Sequence, residues 1–173
     1  MNIDTGRLKN SVTEFSYYLK QEECSRLDPL IRFGSEGLFC KGELLCKGKD
    51  VTVEGTYEVT CSTPCDRCSE EVLRVLSGDV KIRLQPLEEK NALKGDLELN
   101  VNDIDTEFYT NNKINLDLIF EDQFLLDYPL VNVCKKDCKG LCPQCGVNLN
   151  HSSCKCLLSD KDNPFAILKK LQL

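Results

Sequence analysis

The stretch of sequence that decides the architecture of this chain is residues 134–156, CKKDCKGLCPQCGVNLNHSSCKC, which holds six of the twelve cysteines. Its inner segment, Cys142-Pro-Gln-Cys145-Gly146, has the form of a zinc knuckle. Two residues between the cysteines let both sulfurs reach one tetrahedral ion, and the glycine suits the tight turn. Cys154 and Cys156 supply a returning pair at a loop length found in zinc ribbons. The stretch therefore predicts a complete four-cysteine zinc site.

A second knuckle, Cys65-Asp-Arg-Cys68, lies where one predicted strand ends and the next begins. Two cysteines are half of a tetrahedral site, and the pair left over is Cys134 and Cys138. We therefore predict two sites, one formed by Cys65, Cys68, Cys134 and Cys138 and the other by Cys142, Cys145, Cys154 and Cys156. The alternative is a single site that uses Cys138, Cys142, Cys145 and either Cys154 or Cys156, in which His151 could replace a cysteine.

The cellular compartment decides whether clustered cysteines are read as metal ligands or as disulfides. The N-terminal residues MNIDTGRLKN lack the apolar segment of a secretory signal, so we expect a cytoplasmic protein. In a reducing compartment, paired CxxC elements indicate metal binding before disulfides, although reduced or disulfide-bonded cysteines remain the alternative. No apolar run of about 18 residues is present, so no membrane span is expected.

The zinc is expected to be structural. Catalytic zinc sites usually keep three protein ligands, often histidine or carboxylate, and an open position for water. This chain has one histidine, and it has no His-Glu-x-x-His motif, phosphate-binding glycine loop or Gly-x-Ser-x-Gly elbow. We therefore expect no catalytic residue and no small-molecule substrate. A redox role for Cys65 and Cys68 is disfavoured because no thioredoxin-like βαβ pattern surrounds them.

Charge is distributed unevenly along the chain, whose formal net charge is −6. Residues 134–173 contain seven lysines and three aspartates, a net of +4, which leaves −10 for the first 133 residues. The cysteine-rich end is therefore the end suited to phosphate groups. We predict that RNA or a protein partner is contacted by Lys135, Lys136, Lys139 and Lys155. The alternative is that these lysines only solubilise a small module.

The rest of the chain predicts an α+β fold, in which an antiparallel β meander or partly closed barrel is covered by helices and joined to the C-terminal zinc module. Phe15, Tyr18 and Leu19 fall at helical spacing and predict a helix within residues 1–20. β-Branched and aromatic residues alternate over 38–47 and 50–61, which predicts a hairpin. A third strand is expected over 70–84.

Apolar residues at spacings of three and four predict an amphipathic helix over 114–127 that covers the sheet. Residues 86–112 are acidic and broken by proline and glycine, so part of this segment is expected to be mobile. Pro164 predicts the first turn of a short C-terminal helix. We expect a β-rich domain over 1–133 and a zinc-binding tail over 134–173 packed on it as one structural unit.

Several of these segments together resemble the YceD family of large ribosomal RNA subunit accumulation proteins. The resemblance spans most of residues 30–173. It is carried by Cys65-Asp-Arg-Cys68, INLDLIFED at 114–122, Tyr128-Pro-Leu130, CKGLCPQCGVNLN at 138–150 and NPFAIL at 163–168.

The resemblance implies a non-enzymatic bacterial factor, with plastid relatives, needed for accumulation or processing of 23S ribosomal RNA. The implied partners are a precursor of the large-subunit RNA or a ribosomal protein. Two other functions stay open at this point. One is a zinc-stabilised adaptor between proteins, and the other, less favoured, is a thiol-disulfide oxidoreductase.

Overall fold

The computed structural model describes residues 1–8, 11–87 and 106–156, which form two compact units. The β-rich unit comprises the described residues of Met1–Thr63 and Leu73–Leu130. The cysteine-rich unit comprises Pro64–Val72 and the described part of Val131–Leu173. The described strands and α-helix are β1 (Asn2–Asp4), β2 (Val12–Leu19), β3 (Arg32–Phe33), β4 (Leu38–Lys47), β5 (Asp50–Pro64), β6 (Glu71–Pro86), β7 (Thr106–Tyr109), β8 (Lys113–Asn115) and α1 (Leu116–Asp127).

Six of these strands form one open sheet in the order β2-β4-β5-β6-β7, with β3 paired to β5 beside that path. β1 and β8 form a separate antiparallel pair. The path does not return to β2, so the described strands form no closed barrel. The described fold is therefore mostly sheet, with one α-helix.

The predicted hairpin is confirmed. β4 and β5 pair antiparallel from Lys47↔Asp50 to Phe39↔Glu58. Gly48 adopts φ +65°, as the tight turn of a two-residue hairpin requires. Alternate side chains of the two strands point to one face and are buried, namely Leu38, Cys40, Leu44 and Cys46 of β4 and Val51, Val53, Tyr57 and Val59 of β5.

The predicted helix within residues 1–20 is wrong, because residues 12–19 form strand β2. β2 pairs antiparallel with β4 from Val12↔Leu45 to Leu19↔Leu38. Phe15 and Leu19 are four residues apart, which places them on one face of either a helix or a strand. Val12, Thr13, Phe15, Tyr17 and Tyr18 favour the strand, and the backbone partners in β4 decide for it.

The sheet also departs from an antiparallel meander at one edge. β7 pairs parallel with β6, from Arg83↔Thr106 to Pro86↔Tyr109. Parallel neighbours need a long crossover connection, so no local turn signal announces them. β7 lies near the end of the acidic segment 86–112 that was expected to be partly mobile, and residues 88–105 of that segment lie outside the described residues.

The amphipathic helix predicted over 114–127 is confirmed as α1 from Leu116 onward, whereas residues 114 and 115 belong to strand β8. The side-chain oxygen of Asn115 accepts a hydrogen bond from Asp117 N at 3.0 Å and caps the first turn. Phe120 and Phe124 are fully buried in the core of the β-rich unit. The Phe120 ring packs edge-on against Phe15, with ring centroids 5.7 Å apart. The helix thus covers the apolar face of the sheet, as expected.

Glu121 is the buried charged residue of α1, with only 2% of its surface exposed. Its carboxylate accepts hydrogen bonds from the backbone N–H groups of Ser25, at 3.1 Å, and Arg26, at 2.5 Å. These donors replace the water that burial removes. They also attach the loop after β2 to the helix.

The predicted C-terminal helix around Pro164 lies outside the described residues. Among the residues that are described, no helix combines the length and apolar character needed to cross a lipid bilayer.

Candidate metal centres

The knuckle in Pro64–Val72 is a tight turn that presents two sulfurs. Ser69 N donates to Cys65 O at 2.8 Å, and Cys65 N donates to Glu70 O at 2.7 Å. Ser69 adopts φ +59°, a conformation that allows the chain to reverse within four residues. Cys65 and Cys68 therefore lie at the closed end of the turn, and both are buried.

Asn132 aligns the second half of the first site with this knuckle. Its backbone carbonyl accepts from Asp66 N at 2.8 Å, and its backbone N–H donates to the Asp66 carboxylate at 2.6 Å. Its side-chain amide donates to Pro64 O at 3.1 Å. Asn132 is buried, so these bonds satisfy polar groups that water cannot reach. The result is that the following segment, with Cys134 and Cys138, is held beside Cys65 and Cys68.

The first cluster is formed by the sulfurs of Cys65, Cys68, Cys134 and Cys138, which all lie within 4.8 Å of one another. The Cys68 and Cys134 sulfurs are 3.6 Å apart, and those of Cys65 and Cys138 are 4.0 Å apart. A tetrahedral ion with Zn–S bonds of about 2.3 Å places its sulfurs about 3.8 Å apart. A disulfide requires about 2.05 Å, and all twelve cysteines are free. The spacing therefore fits one tetrahedral ion.

The second cluster is formed by Cys142, Cys145, Cys154 and Cys156, whose sulfurs also lie within 4.8 Å of one another. Its knuckle is closed by Gly146 N, which donates to Cys142 O at 2.9 Å. Gly146 adopts φ +71°, which favours glycine at this position. Cys142 is buried and Cys145 is exposed, whereas the returning pair is half-buried. The second cluster is therefore the more accessible of the two.

Backbone N–H groups favour a thiolate in each cluster. Burial raises the pKa of the Cys65 thiol, but backbone hydrogen bonds outweigh burial and lower this pKa to about 6. The donors are the N–H groups of Arg67, Cys68 and Cys134. In the second cluster, the N–H groups of Cys145 and Gln144 lower the pKa of Cys142 to about 6. Cys65 and Cys142 are thus prepared to deprotonate at neutral pH.

The other thiols need a cation before all four can ionise together. A hydrogen bond with Cys145 raises the pKa of Cys156 to about 12. Several thiolates within 4.8 Å of one another repel, and a bound divalent ion removes that repulsion because it deprotonates its thiol ligands outright. The donor set, four soft sulfurs without a carboxylate or water, is the set that suits zinc.

The structure groups the eight cysteines in the two sets of four that we derived from their spacing. Cys138 lies in the first cluster, so the described residues do not bring together the alternative single set. His151 belongs to neither cluster, and its Nε2 contacts the Glu70 carboxylate. The remaining cysteines are buried or half-buried in the β-rich unit, namely Cys24, Cys40, Cys46 and Cys61. That the eight cysteines bind metal stays a prediction.

Two residues beside the first cluster were not found from the sequence. Arg67 donates its backbone N–H to Cys65 Sγ at 3.4 Å and its guanidinium to Cys138 O at 3.1 Å. The side-chain amide of Asn150 donates to Cys138 Sγ at 3.3 Å and lowers the pKa of that thiol. The Asn-Leu-Asn sequence at 148–150 is a turn signal that could have drawn attention to Asn150, but nothing local points to Cys138.

The four lysines predicted to contact a partner are exposed side chains of the cysteine-rich unit. Lys135 and Lys136 lie between the two cysteines that end the first cluster, Lys139 follows Cys138, and Lys155 lies between the last two cysteines of the second cluster. Residues 134–156 contain these lysines and one aspartate. Exposed lysines therefore lie beside both clusters, but the Glu70 carboxylate also lies 3.6 Å from Cys68 Sγ of the first cluster. What the lysines bind stays a prediction.

Substitution of Gly140 by alanine should loosen the segment between the clusters. Gly140 adopts φ +73°, and an added Cβ would lie 2.9 Å from Arg67 O, the acceptor of Leu141 N. We expect a cost of about 2–3 kcal/mol, from left-handed strain and from displacement of Arg67. This cost should lower the hydrogen-exchange protection of the Leu141 amide by roughly 30-fold or more.

The matched control is Gly146→Ala. Gly146 has nearly the same φ, +71°, but an added Cβ would meet no atom within 4 Å. This variant should therefore lose only about 1 kcal/mol, the cost of the backbone conformation. Equal protection in the two variants would show that the close approach of Gly140 to Arg67 is unimportant.

Residues 53–172 match the family described as large ribosomal RNA subunit accumulation protein YceD. The chain is also similar to the large ribosomal RNA subunit accumulation protein YCED homolog 1, chloroplastic, of Arabidopsis thaliana, with 24% identity over 150 residues. The alignment covers 75% of this chain and 47% of the relative, so the chain spans about half the length of the relative. No solved structure matches the chain.

The matched region, residues 53–172, includes both knuckles and helix α1 and extends over more than half of the chain. The chain therefore belongs to the YceD family of large ribosomal RNA subunit accumulation proteins.

Proposed function

We propose that each cluster binds one structural Zn²⁺ ion. The proposal is supported by two sets of four free thiols with sulfur spacings that suit a tetrahedral ion. When bound, zinc cross-links segments that are distant in the sequence, Pro64–Val72 and 131–138 at the first cluster. Four thiolates leave no open position for a substrate, so the ions stabilise the fold and supply no catalysis.

The metal content of the purified protein tests this proposal directly. Protein purified without a chelator should contain about two zinc ions per chain. A value near one would favour a single site, and a value near zero with free thiols would contradict metal binding altogether.

The predicted division into a domain over 1–133 and a tail over 134–173 also stays a prediction.

We further propose that the chain acts in ribosome biogenesis, as a non-enzymatic cytoplasmic factor that supports accumulation or processing of 23S ribosomal RNA during assembly of the large subunit. The observation that carries this role is membership of a family described as large ribosomal RNA subunit accumulation protein. The exposed lysines around the clusters support direct contact with RNA phosphates. The zinc-stabilised unit is then the part of the chain that meets the RNA or a ribosomal protein.

Charge reversal of the four lysines tests the contact. The variant Lys135→Glu, Lys136→Glu, Lys139→Glu and Lys155→Glu should lose co-sedimentation with precursors of the large subunit. If each lysine neutralises one phosphate, raising the salt concentration from about 50 to about 200 mM should weaken binding of the unaltered protein on the order of 100-fold. The reversed variant should show little of this salt dependence.

The matched control reverses four exposed lysines of the β-rich unit, with the same change in net charge, namely Lys41, Lys47, Lys49 and Lys113. This control should keep most of its co-sedimentation. Equal loss in both variants would show that only net charge matters and would contradict a contact at the clusters. If binding to a protein partner survives nuclease treatment and the lysine reversals, the adaptor function replaces direct RNA binding.

A further inference from the structure

The loop between Cys145 and Cys154 of the second cluster also supplies a hydrogen-bond donor to a cysteine of the first cluster. Asn150 lies in residues 146–153, between Cys145 and Cys154 of the second cluster. Its side-chain nitrogen is 3.3 Å from Cys138 Sγ in the first cluster. Its side-chain oxygen accepts from Lys139 N at 3.0 Å. Since a backbone N–H can only donate, the oxygen must face Lys139, and the amide N–H groups must then face the thiol.

Hydrogen bonds within the loop and to residues 140–142 position Asn150. Its backbone N–H and its side-chain nitrogen both donate to the Asn148 side-chain oxygen at 2.9 Å. Leu149 N donates to Gly140 O at 2.9 Å, and Cys142 N donates to Val147 O at 2.8 Å. The loop is therefore paired with residues 140–142, the segment that leads into the second knuckle. An ordered loop is what places the Asn150 amide against the sulfur of Cys138.

A second connection runs through the backbone of the first knuckle. Arg67 O accepts from Leu141 N at 2.9 Å, and the Arg67 guanidinium donates to Cys138 O at 3.1 Å. Only residues 139–141 separate Cys138 from Cys142. Because these bonds lie within the cysteine-rich unit, order in one cluster limits the freedom of the other.

We propose that the two clusters bind metal as a coupled pair, with Asn150 as the positioning residue through which occupancy of the second cluster raises the affinity of the first. This proposal rests on the proposed binding of metal. Metal at the second cluster joins the ends of the loop and orders it, since loop closure costs chain entropy. The ordered amide then stabilises the Cys138 thiolate as a hydrogen-bond donor outside the coordination shell. By linkage, metal at the first cluster must favour metal at the second to the same degree.

Titration of the metal-free full chain with Co²⁺ tests the proposal, because tetrahedral thiolate sites give visible absorption bands that report each ion bound. Asn150→Ala should still bind two ions, with its affinity for the first cluster reduced about 10- to 100-fold. Asn150→Asp keeps the shape of the side chain but places a carboxylate beside a thiolate. The affinity of the first cluster for the ion should therefore fall further in this variant than in Asn150→Ala. The matched control is Ser152→Ala, in the same loop, and it should bind as the unaltered chain does.

A double-mutant cycle separates coupling from local damage. The pair Cys145→Ser and Cys156→Ser removes the second cluster and should weaken Co²⁺ binding at the first to about the extent of Asn150→Ala. Adding Asn150→Ala to that pair should lower the Co²⁺ affinity of the first cluster little further, because the loop that carries Asn150 is already disordered. If the unaltered chain binds no metal, metal binding itself fails. If it binds two ions and Asn150→Ala leaves the affinity of the first cluster unchanged, or if the effects of the variants simply add, coupling through Asn150 is wrong.

Discussion

Substitution of Cys142 by serine should abolish the proposed metal binding at the second cluster and unfold the cysteine-rich unit around it. Cys142 is the most buried ligand of its cluster, and its thiol is the one whose pKa is lowered to about 6. In small zinc modules, the binding energy of about 10–16 kcal/mol is largely the folding energy. The described hydrophobic cluster of this unit contains few apolar side chains besides its cysteines, so it has little else to hold it.

Limited proteolysis and metal analysis measure this effect. Cleavage within residues 138–156 should become at least tenfold faster, and bound zinc should fall from about two ions per chain. The β-rich unit has its own core and should remain resistant. The matched control is Cys24→Ser, because Cys24 lies outside both clusters and donates to Lys20 O, at 3.6 Å. A Cys142→Ser protein with an intact, protease-resistant 138–156 segment would refute the structural role of the metal.

Substitution of Phe124 by alanine should cost the β-rich unit about 3–5 kcal/mol of unfolding free energy. The Phe124 side chain is fully buried in the core of the unit. Its ring packs edge-on against Phe33, at 5.3 Å between centroids, and against Tyr57, at 6.3 Å. Truncation removes these contacts and leaves a cavity beneath α1. The loss is large because a domain of this size has a free energy of unfolding of only about 5–15 kcal/mol.

Denaturant unfolding monitored by circular dichroism measures this loss. The midpoint of Phe124→Ala should shift strongly to lower denaturant, with a similar slope. The matched control is Leu126→Ala on the same helix, because Leu126 is 79% exposed and its truncation should change stability by no more than about 0.5 kcal/mol. Similar midpoints for the two variants would show that α1 does not cover the sheet through its phenylalanine face.

Elements that are specified by neighbouring residues were predicted from the sequence. The β4-β5 hairpin needs only alternating side chains and a glycine turn, and α1 needs only its apolar stripe and a cap at Asn115. β2 was mistaken for a helix because Phe15 and Leu19 fit both periods, so the choice depended on β4. The parallel pairing of β7 with β6 has no local signal, because it depends on a distant segment.

The sequence also predicted some residues of the candidate site and missed others. The two cysteines of each knuckle are close in the sequence, so spacing identified the knuckles, and Cys134 and Cys138 were assigned to Cys65 and Cys68 as the pair left over. The supporting residues come from elsewhere in the chain. Asn150 reaches Cys138 across twelve positions, and Asn132 reaches Asp66 across sixty-six. Hydrogen bonds between residues so far apart in the sequence form because the fold brings the residues together. The spacing of cysteines in the sequence does not predict them.

Residue type and short-range periodicity were enough to predict the eight clustered thiols, the hairpin, the helix that covers the sheet and the basic character of the cysteine-rich end. Tertiary structure decided that residues 12–19 are a strand and that the β-rich sheet carries a parallel edge. It also decided that Asn150 lies against a sulfur of the other cluster. Buried backbone and polar side-chain groups form hydrogen bonds with the partners that the fold brings near them. Local sequence patterns do not identify those partners.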